Sequence, residues 1–222
     1  MGRFKSKFTE LSAFDVSTGS DLVGGVDEVG RGALAGPIVG ACVIYDMGSI
    51  MEMEEQLFYV RDSKSLSKSK MREISDSIKA SAVHYDVFYY DNSEIDLYGI
   101  QQCNRGLIDS ALDLCDAHSA GLLLIDGTIS PSGEAVSRNT VPWRKLPKAD
   151  SKSLAVASAS IIAKDFRDSL MRDLPVSEEY GFSSNVGYGA AQHLEAIERL
   201  GITEYHRRSF LKRYIGEQDA TP

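Results

Sequence analysis

Four acidic side chains stand where apolar stretches give out. Asp27 and Glu28 sit in GVDEVGRG, Asp126 closes LLLIDG, and Asp150 lies in LPKADSKS. A carboxylate beside a buried strand is costly to ionise alone. A hard divalent cation removes that cost, because Mg²⁺ takes oxygen ligands from a few carboxylates and keeps positions for water and phosphate. Two such ions roughly 3.5–4 Å apart activate a water and stabilise the leaving oxygen in phosphodiester cleavage. Each acid also has a plainer reading on its own. Asp126–Gly127 is a turn pair, Asp150 a helix-capping or surface acid, and Asp27–Glu28 a solvated strand end. Adjacent strand residues point to opposite faces. Asp27 and Glu28 therefore share a site only if the strand ends or bulges there, and Gly30 and Gly32 make room for a bulge.

Other chemistries fit less well. GRGALA matches the loose dinucleotide pattern at Gly30, Gly32 and Ala35, but Pro37 and an apolar run follow where a helix is required. Walker A, HExxH and GxSxG patterns are absent from the sequence.

The elements that must position the acids follow from apolar periodicity. Residues 22–27 read as a short strand, 37–45 as a buried strand, 83–90 as a strand with aromatic edges, and 122–126 as a short buried strand ending at Asp126. A helix is expected from about Ser67, with Met71, Ile74 and Ile78 on one face. A single long helix is expected over 93–117, one over 151–173 opening on the small residues AVASAS, and a short one over 190–200 stopped by Gly201. Residues 47–60 read as loop or short helix, 128–150 as loop plus a short strand, and 175–189 as loop. Strands alternating with helices predict an α/β fold.

The chain has 222 residues, enough for one large domain, and its 43% hydrophobic and 25% charged residues are ordinary for a globular protein. No apolar run reaches the roughly 18 residues of a membrane span, and the basic N-terminus lacks a signal-peptide core. Gly2 and Ser6 match the bare myristoylation pattern without a second membrane signal. Cys42, Cys103 and Cys115 are odd in number and never CxxC, so neither a disulfide framework nor zinc is expected, and a reducing cytoplasm is the simplest home. The net charge of −8 conceals three basic islands, at 61–72, 142–172 and 199–213, each summing to +4. Ordinary solvated helix faces explain such islands as well as a phosphate-binding face does.

The string GVDEVGRGALAGPIVGACVI resembles the opening of ribonuclease HII, the type 2 ribonuclease H. The resemblance continues through RDSKSLS, LLLIDG, KADSKSLAVASASIIAKDFRD, YGFSSNVGYGAAQHLEAIERLG and HRRSF, in the family's order, over about residues 22–210. It implies a ribonuclease H-like mixed β-sheet flanked by helices, with a C-terminal helical extension. The expected layout is a catalytic domain over 22–173, an extension packed on it over 174–213, and tails at 1–21 and 214–222. The resemblance implies hydrolysis of RNA in RNA–DNA hybrids and incision 5′ of ribonucleotides embedded in duplex DNA, leaving a 3′-hydroxyl and a 5′-phosphate. Removal of misincorporated ribonucleotides and replication primers would follow.

In this resemblance the metal-binding acids are Asp27, Glu28, Asp126 and Asp150, with two Mg²⁺ or Mn²⁺ ions. Asp27 and Asp126 would bridge metals, and Glu28 and Asp150 would complete the shells. Gly30, Arg31 and Gly32 would read the ribose 2′-hydroxyl, the local feature that separates RNA from DNA. Tyr188 would lie beside the sugar at the RNA-to-DNA junction. Ser63 and Lys64 would contact a backbone phosphate, as would Lys152, Arg207 and Arg208 unless these are plain surface charge. Val186 replaces the family's lysine and Arg61 its asparagine, each altering one phosphate contact. A monomer is the simplest assembly. Two alternatives stand beside this reading: a ribonuclease HIII-type nuclease, which usually carries a further N-terminal domain and a G-K-G-type motif, and a non-catalytic hybrid-binding module.

Overall fold

The structure, a computed structural model, describes residues 7–60 and 67–212. Five strands form one mixed sheet: β1 (Leu22–Val29), β2 (Ile38–Asp46), β3 (His84–Tyr90), β4 (Leu122–Asp126) and β5 (Trp143–Leu146), in the order β3-β2-β1-β4-β5. β1, β2 and β3 pair antiparallel, while β4 lies parallel to β1 and β5 parallel to β4. The helices in chain order are α1 (Lys7–Val16), α2 (Glu54–Leu57), α3 (Lys68–Ser81), α4 (Asn92–Tyr98), α5 (Ile100–Ala117), α6 (Gly133–Arg138), α7 (Leu154–Asp173), α8 (Phe182–Asn185) and α9 (Ala191–Leu200).

Strand alternation sorts the core into two layers. Val23 and Leu124 join the layer under α7, whereas Val26, Leu123 and Ile125 join the layer under α5. The small residues at the start of α7 have a definite use. A Cβ added at Gly25 would lie 2.3 Å from the Val156 nitrogen, so the first turn of α7 rests directly on the backbone of β1. Ser153 caps this helix by accepting from the Val156 amide.

Several expectations change. The expected long helix over 93–117 is two helices, α4 and α5, divided at Gly99, whose φ of +83° is open to glycine and strained for other residues. The segment before Leu22, read as a tail, contains α1, and its Phe8 and Leu11 are buried in the α7-side core. Its apolar residues Phe8, Leu11, Ala13, Phe14 and Val16 are spread around the helix rather than gathered on one face, so tertiary packing decides. Residues 128–150 hold α6 as well as β5. Of the two ways for Asp27 and Glu28 to share a site, the bulge does not form, since the β1–β2 ladder runs unbroken through Asp27↔Ala41, Glu28↔Gly40 and Val29↔Val39, and the strand ends one residue beyond Glu28, at Val29.

Among the described residues, no helix is long and apolar enough to cross a membrane.

Candidate active site

β1 and β4 run parallel with Val26 opposite Ile125, so the next residues, Asp27 and Asp126, emerge side by side as β4 ends. Both lie on the α7 face. Asp27 is pushed up to about 7, chiefly because burial penalises its charge. The Ser160 hydroxyl on α7 favours the charged form, while Glu28 and Asp126 oppose it. The Asp27 Oδ1 also accepts from the Glu28 amide at 2.8 Å.

Glu28 takes the opposite face, as strand geometry requires, and meets α5. Burial raises its pKa first; the Asn104 amide and the Arg31 guanidinium act the other way, and Asp126 adds to the rise. Asn104 is fully buried and makes no hydrogen bond of ordinary geometry. Its presence in an otherwise apolar α5 stripe, with Cys103 and Leu107, is the signal that sequence reading passed over. Ser160 was equally missed, hidden in a run of small residues whose evident purpose is close packing.

Asp150 sits in a short 3-10 turn, Ala149–Ser151, that begins after Lys148 in a left-handed conformation. The turn is tied to the other acids through its backbone, because the Ala149 amide donates to the Asp126 carboxylate at 2.6 Å. Among the described residues, no group of three or more His, Cys, Asp or Glu side chains is gathered as a ready metal site. The unbroken ladder sends Glu28 to the face opposite Asp27.

The loop after β1 adjoins these acids. Gly30 has φ +89°, and a Cβ there would meet the Arg167 side chain at 2.2 Å and the Pro37 carbonyl oxygen at 2.7 Å, so no other residue fits. Arg31 and Gly32 are exposed, and a Cβ at Gly32 would meet nothing within 4 Å. Tyr188, 37% exposed, accepts from the Gly30 amide through its hydroxyl at 3.1 Å. Two positive-φ residues, Val186 at +43° and Gly187 at +84°, turn the chain into Tyr188.

The expected phosphate contacts divide. Arg207 is fully buried, donating to the carbonyl oxygens of Gly36 and Arg31, so it braces the loop from inside and is no phosphate ligand. Arg167, counted in a basic island, is likewise buried, on the carbonyls of Ala35, Pro37 and Val186. Sequence does not reveal this, because a guanidinium serves bare loop carbonyls as readily as phosphates. Lys152 is exposed, its ammonium on the Pro147 carbonyl at 3.0 Å, and Arg144, Lys145 and Lys148 are exposed nearby along the chain. Arg208 is exposed, its amide donating to Asp96. Ser63, Lys64 and Arg61 lie outside the described residues, as do Gly2 and Ser6. Cys42, Cys103 and Cys115 are buried and free.

The sequence pattern of the family described as Ribonuclease HII matches residues 24–213. The chain is 40% identical over 211 residues to a ribonuclease HII of Clostridium acetobutylicum, covering 95% of this chain and 80% of that one. It is 40% identical over 215 residues to a ribonuclease HII of Clostridium perfringens, covering 95% and 75%. Among solved structures it is similar to the ribonuclease H2 from Pyrococcus horikoshii OT3, with a TM-score of 0.69 and 23% identity over 87% of this chain and 98% of that one. It is also similar to a chain of the PCNA:RNase HII complex from Archaeoglobus fulgidus, with a TM-score of 0.70 and 23% identity over 85% and 93%. A third similar fold is Bst-RNase HIII in complex with Mn²⁺, with a TM-score of 0.62 and 23% identity over 90% and 64%.

Proposed function

Because the chain belongs to the ribonuclease HII family, an endoribonuclease family acting on RNA–DNA hybrids, we propose that its sheet-end carboxylates cut duplex DNA on the 5′ side of an embedded ribonucleotide. One observation supports this above the rest. Asp27 and Asp126 leave the parallel ends of β1 and β4 side by side, and the Ala149 amide beside Asp150 donates to Asp126 at 2.6 Å, at the sheet end from which the Gly30–Gly32 loop departs.

The donor set suits a hard divalent cation. It offers oxygen ligands, and the carboxylates repel one another until a cation is added. The buried Asn104 amide, which faces Glu28 and favours its charged form without an ordinary hydrogen bond, agrees with a site built for more than packing. Asp27, Glu28, Asp126 and Asp150 are the residues that would hold the Mg²⁺ or Mn²⁺ ions. When bound, such ions would supply a water more acidic than bulk water and a positive charge that stabilises the leaving 3′-oxygen.

The chain's own groups do the rest. Exposed Arg31 and the open side of Gly32 receive the ribose and its 2′-hydroxyl, which a bulkier side chain would block. Tyr188 stands beside the sugar, its hydroxyl already held by the Gly30 amide. Lys152, with exposed Arg144, Lys145 and Lys148, holds the phosphates next to the Asp150 turn. Arg208 serves a more distant phosphate.

The test is cleavage-site mapping on labelled duplex DNA carrying one ribonucleotide, with Mg²⁺ or with EDTA. The expected result is one cut 5′ of the ribonucleotide with Mg²⁺, leaving a 3′-hydroxyl and a 5′-phosphate, and no cut with EDTA. An intact strand with Mg²⁺ would favour a binding module. Cleavage confined to longer hybrid tracts would favour a ribonuclease HIII-type activity.

A further inference from the structure

Two histidines inside the C-terminal layer have no part in the chemistry above. His193 on α9 and His206 are 0% and 1% exposed, and their Nε2 atoms lie 3.1 Å apart. One nitrogen must donate and the other accept, and the partners at the outer ends decide which. The Thr203 amide can only donate, and it does so to His206 Nδ1 at 2.9 Å. The His206 proton is therefore on Nε2 and points at His193 Nε2. The His193 proton is then on Nδ1, which donates to the Tyr188 carbonyl oxygen at 2.9 Å. Every group in this chain is satisfied by two neutral imidazoles with different tautomers. Burial drives both histidines toward the neutral form, His206 down to about 4.

The chain of bonds runs from Thr203 to the backbone of the residue whose hydroxyl holds Gly30. The same C-terminal segment grips the substrate loop directly. Ala35 bridges to His206, the Gly36 amide donates to the Tyr205 carbonyl, and the Arg207 amide donates to the Leu34 carbonyl. Arg167 stands under the Tyr188 ring, 5.4 Å from its centre, while donating to the strained Val186. Each of these contacts braces the loop or the ring. The histidine pair supplies a bond to the Tyr188 main chain that ties it to the 203–206 segment.

We propose that His193 and His206 form a neutral relay that sets the height of Tyr188 over the Gly30 amide, and thereby the preference for a ribonucleotide at a DNA junction. The proposal rests on the reading that Tyr188 meets the substrate. Both histidines are positioning residues, acting through Tyr188.

Asparagine and glutamine separate the two ends of the imidazole. In His193→Asn the amide nitrogen falls where Nδ1 was and keeps the bond to Tyr188. In His193→Gln it falls where Nε2 was and loses that bond, although glutamine is nearer to histidine in size. The full-length protein with Mg²⁺ is assayed on duplex DNA with one ribonucleotide and on a continuous hybrid, with kcat and KM taken separately. H193Q is expected to lose about 3- to 10-fold on the single-ribonucleotide substrate, the value of one hydrogen bond, and less on the hybrid. H193N, which keeps the Tyr188 bond but leaves the His206 Nε2 proton without its acceptor, is expected to lose less than H193Q, and both changes should be silent in a Tyr188→Ala background. Equal losses in H193N and H193Q, or further loss in the Tyr188→Ala background, would overturn the relay. A Tyr188→Ala variant with undiminished single-ribonucleotide cleavage would overturn the reading of Tyr188, and the relay's function with it. Nitrogen-15 NMR of the wild-type imidazoles gives a test independent of any variant's folding. The Nδ1–H form of His193 with the Nε2–H form of His206 is expected, and the reverse pair would overturn the proposal.

Discussion

Asn104 and Glu28 illustrate how much a single side chain can decide. A fully buried amide without a regular partner costs stability, about 1–3 kcal/mol for each unsatisfied group. Position explains its presence, because it faces Glu28 and favours the ionised carboxylate. Asn104→Leu, similar in volume, is expected to unfold at an equal or higher temperature. It should also need about 10- to 100-fold more Mg²⁺ for half-maximal cleavage, the usual cost of losing a group that orients a metal ligand. A Mg²⁺ titration beside a thermal melt checks both halves. Asp126→Asn should behave differently, losing several orders of magnitude in cleavage at any Mg²⁺ concentration while keeping its circular dichroism. Near-normal cleavage by that variant would remove Asp126 from the reaction. The sequence shows Asp27, Glu28 and Asp126 at the ends of apolar runs, but it is the resemblance that joins them with Asp150 in one candidate site, since each acid alone has an ordinary reading. Asn104 and Ser160 were not legible there, since an amide or hydroxyl within a helix has too many ordinary uses.

Elements carry the next level of control. α7 is held at its N-terminus by Asp15 from α1, whose Oδ2 accepts from the Ala155 amide at 3.0 Å. This contact fixes the helix end that rests on Gly25 and leads to Ser160. Burial pushes the Asp15 carboxyl up to about 6, against the bonds from Ala155, Ser153 and Leu154 that favour its charge. Its unfolded value is about 3.9. Between these values the folded protein keeps a proton that the unfolded chain has released. The stabilisation is full below about pH 4 and is lost as pH rises through 6, for a difference on the order of 3 kcal/mol. Asp15→Asn is expected to flatten this part of the stability curve and to be the more stable protein at pH 7. Urea melts at pH 4, 5, 6 and 7 measure it, and parallel curves for both proteins would refute it. The sequence marks β2 and β4 as short continuous apolar runs and α3 by an apolar face that repeats at helical spacing. Periodicity ran α4 and α5 together because Gly99 is a single residue within a continuous apolar stripe. It missed α1, whose burial comes from contacts distant in sequence.

At the scale of the whole molecule, charge is divided by burial. The basic islands read from the sequence contain both exposed lysines and the interior arginines Arg167 and Arg207. Each exposed cation that meets a phosphate releases a counterion, steepening the fall of log K with log salt by about 0.9. Lys152→Ala should reduce that slope by about 0.9 at unchanged melting temperature. Arg207→Met should lower the melting temperature strongly and leave the slope of the folded fraction intact. Hybrid binding across a salt series reads both, and a slope change for Arg207 alone would reverse the assignment.

The amino-acid sequence determined the alternation of strands and helices, the carboxylates at the strand ends and the glycine loop that follows. These depend on local periodicity, on the cost of burying charge and on backbone conformations open to glycine. The tertiary structure alone decided which face Asp27 and Glu28 take, which arginines go inside, and that two histidines thirteen residues apart meet Nε2 to Nε2. Such outcomes depend on the register of distant strands and on which polar groups packing leaves in need of a partner, and no stretch of sequence contains that information by itself.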